Sequence, residues 1–501
     1  MPNFTNSYPF AETELFKAVQ LSDIFLDSKA FTDIIPLASI DDLEALYLAN
    51  KDKQDFDLKV FVAENFEANS IKTIDYQSDT SKPIVQHLNE LWPILSRQPS
   101  QAKGSLIALP FGYVVPGGRF QEMYYWDSYF TILGLQASGK IDLIEGMVNN
   151  FAYLIQQFGY IPNGNRSYFL GRSQPPFFAS MVEVLAQEKG NEILLKYLDV
   201  LETEYQFWMD GKAELSSQNQ ACKRVVLLAD GTVLNRYWDT HDMPRPESYR
   251  EDVALEKSLE KPIEGFFRHI RAAAESGWDF SSRWFADGQN MNTIHTTDIL
   301  PVDLNCLLLQ LEKTILKAYG LFQNNAKIEE YTSLIKQREQ AINSCFYNDS
   351  KGFYFDFDFV SNTLTNSYTL AGVFPLFFEL ASQSQAQKIS EIIEDKFLKQ
   401  GGVITTLLGT GQQWDAPNGW APLQYITYKG LSNYGFTALA ETLKKRWMQS
   451  NEKVYLSTGK MTEKYNVENP NTEAGGGEYP NQDGFGWTNG VYLALASPHC
   501  P

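Results

Sequence analysis

The stretch Pro116–Tyr129, PGGRFQEMYYWDSY, places an arginine, two carboxylates, three tyrosines and a tryptophan beside a double glycine. Charged forks, carboxylates and flat apolar faces suit one class of ligand together. A sugar offers neighbouring hydroxyls for two-point hydrogen bonds from Arg, Asp, Glu and Asn, and a weakly apolar ring face for Trp, Tyr and Phe. The same mixture recurs along the chain. Arg119, Trp126 and Asp127 lie in the first stretch, and Asn163 and Arg172 in IPNGNRSYFLGRSQPPFF. Arg245 and Glu247 lie in RPES, Trp278 and Asp279 in ESGWDFSSRW, and Glu463 and Glu478 in a late glycine-containing loop. Hydrolysing a glycosidic bond takes two carboxyl groups, one to protonate the departing oxygen and one to attack or to activate water. These segments hold more than two, and spacing does not choose among them.

Taken singly, each feature has a plain structural reading. Arg119 beside Asp127 makes an ion pair, PGG a turn, Asp279 a helix cap, and Gly475–Gly477 a flexible loop. Packing alone does not call for the same chemistry in one long loop after another. The residues by themselves therefore reach a carbohydrate-active enzyme and stop there.

The elements that must position these loops are helices. In VDLNCLLLQLEKTILKAYGLF, Leu304, Leu308, Leu311, Ile315, Tyr319 and Phe322 recur at three- and four-residue steps, one stripe of a helix. Similar periodicity predicts helices over 83–96, 141–158, 179–188, 193–208, 326–346, 367–381, 385–398 and 431–448. One stretch, RVVLLADGTVLNRY, predicts a minor β-hairpin turning at Asp230-Gly231. Between the helices run long aromatic connections over 110–127, 161–176, 235–250, 276–284, 411–422 and 463–490, too rich in Trp, Tyr, Phe and Arg for disorder. The pattern predicts an all-α fold of stacked helical hairpins presenting loops to one face. An N-terminal arm spans 1–65, and no Pro/Gly/Ser-rich linker divides the remainder, 66–501.

The chain has 501 residues and a formal net charge of −19, which argues against nucleic acid or an anionic membrane as partner. No apolar run reaches the length of a membrane span. The start, MPNFTNSYPFAETELF, lacks the basic and apolar regions of an export signal, so a cytoplasmic protein is expected. Cys222, Cys306, Cys345 and Cys500 show no CxxC spacing, and five histidines are scattered, so neither a zinc site nor a disulfide framework is expected. A monomer needing no metal and no organic cofactor is the expectation.

PGGRFQEMYYWDSY and QWDAPNGWAP (413–422) resemble the two signature motifs of the trehalases, an inverting family that hydrolyses α,α-trehalose. IPNGNRSYFLGRSQPPFF, RPES, SGWDFSSRW and GGGEYPNQDGFGWTNG are similar to other family segments in the expected order, from about residue 15 onward. The resemblance implies an (α/α)6 barrel with long active-site loops. It implies Asp279 as catalytic acid and Glu463 as catalytic base. It carries sugar contacts to Arg119, Phe120, Trp126, Asp127, Asn163, Arg172, Arg245, Glu247, Gly277 and Glu478, with the glycines before Glu478 as a lid. Two other readings stand beside it. A disaccharide phosphorylase on a similar barrel would need no carboxylate base, and a catalytically dead sensor would have lost Asp279 or Glu463.

Overall fold

The apolar stripe at 304–322 folds as the helix Val302–Leu321, one member of a closed ring. In the computed structural model, which describes residues 8–67, 78–99 and 101–497, that ring runs through six helices. They are Tyr125–Ala137, Phe178–Lys189, Val302–Leu321, Phe374–Phe377, Ala421–Asn433 and Gly486–Ala496; each packs on the next, and the last packs on the first. A second set alternates with them along the chain: Ile84–Leu95, Ile141–Phe158, Ile193–Trp208, Asn325–Cys345, Gln383–Ile392 and Thr437–Thr458. One large apolar cluster fills the space between the two layers.

Inner helices are buried almost all round. Every residue from Tyr125 to Leu135 is buried, so this helix shows no polar face and hides from a periodicity search. The sequence predicts a connection over 110–127, whereas the helix already begins at Tyr125. Its approach to Gly486–Ala496 is close enough to require glycine on both sides. A Cβ on Gly134 would lie 2.4 Å from Gly490 Cα, and one on Gly490 would lie 2.1 Å from the Phe130 carbonyl oxygen.

Other boundaries differ from the periodicity for local reasons. The predicted 431–448 helix is two helices, Ala421–Asn433 and Thr437–Thr458, broken where Gly435 takes φ 81°. The predicted 367–381 helix is two single turns, Leu370–Val373 and Phe374–Phe377. A Cβ on Gly372 there would lie 2.4 Å from the Tyr354 carbonyl. The predicted hairpin forms from Val225–Leu227 and Val233–Asn235, with Gly231 at φ 88°, and Ala221–Cys222 adds a third strand.

The arm builds a small core of its own around Leu15, Phe16, Val19, Phe31, Leu43 and Phe61, completed by Tyr249 from the barrel. It grips the RPES segment from outside. Gln20 Nε2 donates to the Pro246 carbonyl (3.0 Å), and Arg250 donates to the carbonyls of Gln20, Ser22 and Phe25. Among the described residues no helix is long and apolar enough to cross a membrane. Cys222, Cys306 and Cys345 are free thiols, and Cys500 lies outside the described residues.

Candidate active site

The aromatic connections converge on one pocket. Arg119, Phe120, Trp126, Asp127, Asn163, Arg172, Arg245, Glu247, Gly277, Asp279, Glu463 and Glu478 all line it. Trp126 and Asp127 project from the first turn of helix Tyr125–Ala137, where Gln174 Oε1 accepts from the Trp126 amide (3.1 Å). Asn163 donates to the carbonyls of Ser173 (3.0 Å) and Ala274 (3.2 Å), tying its loop to the end of helix Phe266–Glu275. Gly277 takes φ 74°, and a Cβ on it would fall 2.8 Å from the Trp126 ring. Only glycine lets this backbone lie against the indole.

The arginines are held by carboxylates. Arg172 pairs with Glu247 and stands 3.7 Å from Asp239, itself bound by Arg271 at 2.9 Å. Arg245 forks onto Asp252 (2.6 Å) and reaches Glu478 (2.8 Å), whose other oxygen accepts from Ser248 Oγ at 3.1 Å. Arg119 pairs with Asp27 of the arm at 3.2 Å. Under the pocket lies an aromatic stack. Trp414 lies on Trp420 with ring centroids 4.0 Å apart, and Trp278 stacks on Trp414 at 5.5 Å.

The two carboxyls expected to react differ in setting. Asp279 is partly open to the pocket yet surrounded by protein, and desolvation pushes its pKa from 3.8 up to about 7, with Glu478 adding to the rise while Arg245 opposes it. Glu463 is buried and also raised by desolvation, against which the Lys464 ammonium and a Tyr479 hydrogen bond work. Tyr479 donates to Glu463 Oε1 at 2.9 Å, while Oε2 is buried and accepts no hydrogen bond. Burial also raises Asp127, helped by the nearby Glu463 and Asp279. Glu247 goes the other way: desolvation by the surrounding protein would raise this half-buried carboxyl, but Arg172 and Arg245 hold it below the usual carboxylate range. Lys464 and Gln413 link the two carboxyl segments, since Lys464 Nζ donates to Gln413 Oε1 (2.9 Å) and Gln413 Nε2 donates to the Asp279 carbonyl (2.5 Å). A carboxyl that keeps its proton near neutrality, sharing a pocket with a carboxylate held by an ammonium, can do acid–base chemistry on an acetal.

Sequence reasoning missed several lining residues. Gln413, Trp414 and Trp420 sat in view within QWDAPNGWAP, and Tyr479 directly after Glu478. Asp27, Ser28 and Lys29 come from the arm, where nothing in the local composition marks them.

A closed double ring of helices with paired carboxyls among arginines and indoles defines a glycoside hydrolase. The family model for Trehalase matches residues 23–498, and the chain belongs to the trehalase family. It is 47% identical over 97% of its length to the periplasmic trehalase of Xanthomonas axonopodis pv. citri, covering 85% of that protein. It is 46% identical, again over 97% of its length, to that of Salmonella agona, covering 86%. Among solved structures, the neutral trehalase Nth1 of Saccharomyces cerevisiae matches with a TM-score of 0.64 and 26% identity, over 83% of this chain and 80% of that one. The mannosylglycerate hydrolase of Thermus thermophilus shares the helical-barrel fold, with a TM-score of 0.54 at 19% identity, over 82% of this chain and 99% of that one. The fold is thus the (α/α)6 barrel that the family resemblance implies. The compartment is corrected. The curated relatives are named periplasmic, against the cytoplasmic expectation drawn from the first residues.

Proposed function

We propose that this trehalase-family glycosidase splits α,α-trehalose into two glucose molecules by single displacement, with Asp279 as general acid and Glu463 as general base. Asp279 gives its proton to the bridging oxygen while Glu463 takes one from a water on the far face of the ring, and the configuration inverts. The observation that carries this is the unequal state of the two carboxyls. Asp279 is pushed up to about 7 where it meets the pocket, whereas Glu463 has the Lys464 ammonium 3.5 Å from Oε2 and the Tyr479 hydroxyl on Oε1. Inversion calls for the carboxyls to stand roughly 6.5–9.5 Å apart, with room for the water. Arg119, Arg172 and Arg245 surround the reacting sugar, and Trp126, Phe120, Asp127, Asn163, Glu247, Gly277 and Glu478 complete its contacts. The loop through Gly475–Gly477 folds over the bound sugar and brings Glu478 onto it.

The test is proton NMR of the first turnovers, which should show one α- and one β-glucose per trehalose. Two α-glucose molecules rule out inversion. Rates independent of added phosphate separate hydrolysis from phosphorolysis. We place the protein in the periplasm, as its relatives are named, and read it as a monomer without nucleic-acid or membrane partners. Cell fractionation and light scattering check these points.

A further inference from the structure

Tyr479 has no part in the acid–base scheme above, yet its hydroxyl touches the base. It donates to Glu463 Oε1 at 2.9 Å, while the buried Oε2 stands 3.5 Å from the Lys464 ammonium. The ring is fixed on several sides: the Arg119 guanidinium lies 4.7 Å over it, Lys464 Nζ 5.3 Å from its centroid, and Phe120 meets it edge-on at 5.4 Å. Tyr479 follows Glu478, which bonds Arg245 and Ser248, and both stand just beyond the glycines Gly475–Gly477. The same short loop therefore carries a contact to the sugar-binding arginine and a contact to the base.

We propose that Tyr479 is the positioning residue for Glu463: its hydroxyl holds Oε1 while the Lys464 ammonium faces Oε2, the two contacts fix the carboxylate for taking the water's proton, and the tyrosine contact is made only while the loop is down. This rests on Glu463 being the base. It goes further in making loop closure a precondition for a competent base, so that water in the open pocket meets a carboxylate that is not set. A hydrogen bond to the charged form favours ionisation. The Tyr479 contact and Lys464 both act in that direction on Glu463, against burial. The other charged groups that face this cluster are Asp127 from helix Tyr125–Ala137, Asp279 across the pocket and Arg119 above the ring. None of them donates to Glu463 Oε1 among the described contacts.

Tyr479→Phe keeps the ring and its packing and removes only the hydroxyl. We expect kcat on trehalose to fall by about ten- to a hundredfold, the worth of one or two net hydrogen bonds, with KM within about twofold. The acidic limb of the kcat/KM profile should move to higher pH, because the carboxylate loses a stabilising donor. A purely structural tyrosine would not move that limb. In a Glu463→Ala background the same substitution should add no further loss, since the tyrosine then has nothing to position. An unmoved acidic limb, a change in KM alone, or an equal loss in the Glu463→Ala background overturns the proposal. The underlying reading is checked separately. Glu463→Ala should lose activity on trehalose and regain turnover of α-glucosyl fluoride with azide, forming β-glucosyl azide. Failure of that rescue counts against Glu463 as base, whatever Tyr479→Phe does.

Discussion

Asp279→Asn is the substitution that bears most directly on the chemistry, because its effect can be worked out from the setting of one carboxyl. At its ordinary value of 3.8, fewer than about one Asp279 in a thousand would hold a proton at pH 7; at about 7, about half do. Burial thus supplies the reactive form at neutral pH by several hundredfold, and the amide abolishes it. General acid catalysis is worth about 10²–10⁴ in rate, so kcat/KM on trehalose should fall by that factor. The wild-type kcat/KM profile should decline on its basic side through about pH 7, as the acid loses its proton. The residual activity of the variant should show no such decline. α-Glucosyl fluoride supplies the control, because fluoride departs with far less need of a proton, and there the loss should be at least about tenfold smaller. The assay is steady-state kinetics on both substrates from about pH 4 to 9, with circular dichroism to confirm the fold. Equal losses on the two substrates, or a basic limb that persists in the variant, would refute the assignment of Asp279.

Further expectations follow from other parts of the site. Arg119→Lys, Arg172→Lys and Arg245→Lys should each lower kcat on the order of a hundredfold with the fold intact, because an ammonium cannot reproduce the fork; a rise in KM alone would show that the residue only binds. Gly477 takes φ 85°, and a Cβ there would lie 2.8 Å from Gln413 Oε1, whereas one on Gly475 meets open space. Gly477→Val should therefore slow turnover more than Gly475→Val with little change in thermal midpoint, and hydrogen exchange over 470–480 should fall when a trehalose mimic binds. Gly490→Ala drives a methyl against the Phe130 carbonyl and should cost about 1–3 kcal/mol in thermal or urea unfolding. Dialysis against EDTA should leave activity unchanged; a loss restored by calcium or zinc would contradict the acid–base scheme.

What could be read from the sequence depended on how each element meets water. Val302–Leu321 keeps part of its surface outside the core, so its stripe was plain; Tyr125–Ala137 is buried on every side and leaves no stripe. Gly435 breaks two helices that run together in apolar pattern. The site residues stood out because arginine, carboxylate and indole crowd into loops where packing does not require them. Their separate duties were not legible in this way and came from the family resemblance. Asp279 and Asp127 are both aspartates in aromatic stretches of sequence, and only burial and neighbours set them apart. The arm residues Asp27, Ser28 and Lys29 carried no signal, because they matter through partners far away in the chain: Asp27 with Arg119, Ser28 with Glu251, and Lys29 with Glu122.

The seam between Tyr125–Ala137 and Gly486–Ala496 also sets a rule of timing. Glycine lies on both sides of it, and the two backbones approach too closely there for any side chain to intervene. During synthesis the first inner helix leaves the ribosome long before the helix that closes on it, and Asp279 long before Glu463 and Glu478. Contacts of such long sequence separation form late. A partly made chain thus holds the proposed acid without the proposed base and an open ring without its closing wall, so the complete site forms only with the end of the chain.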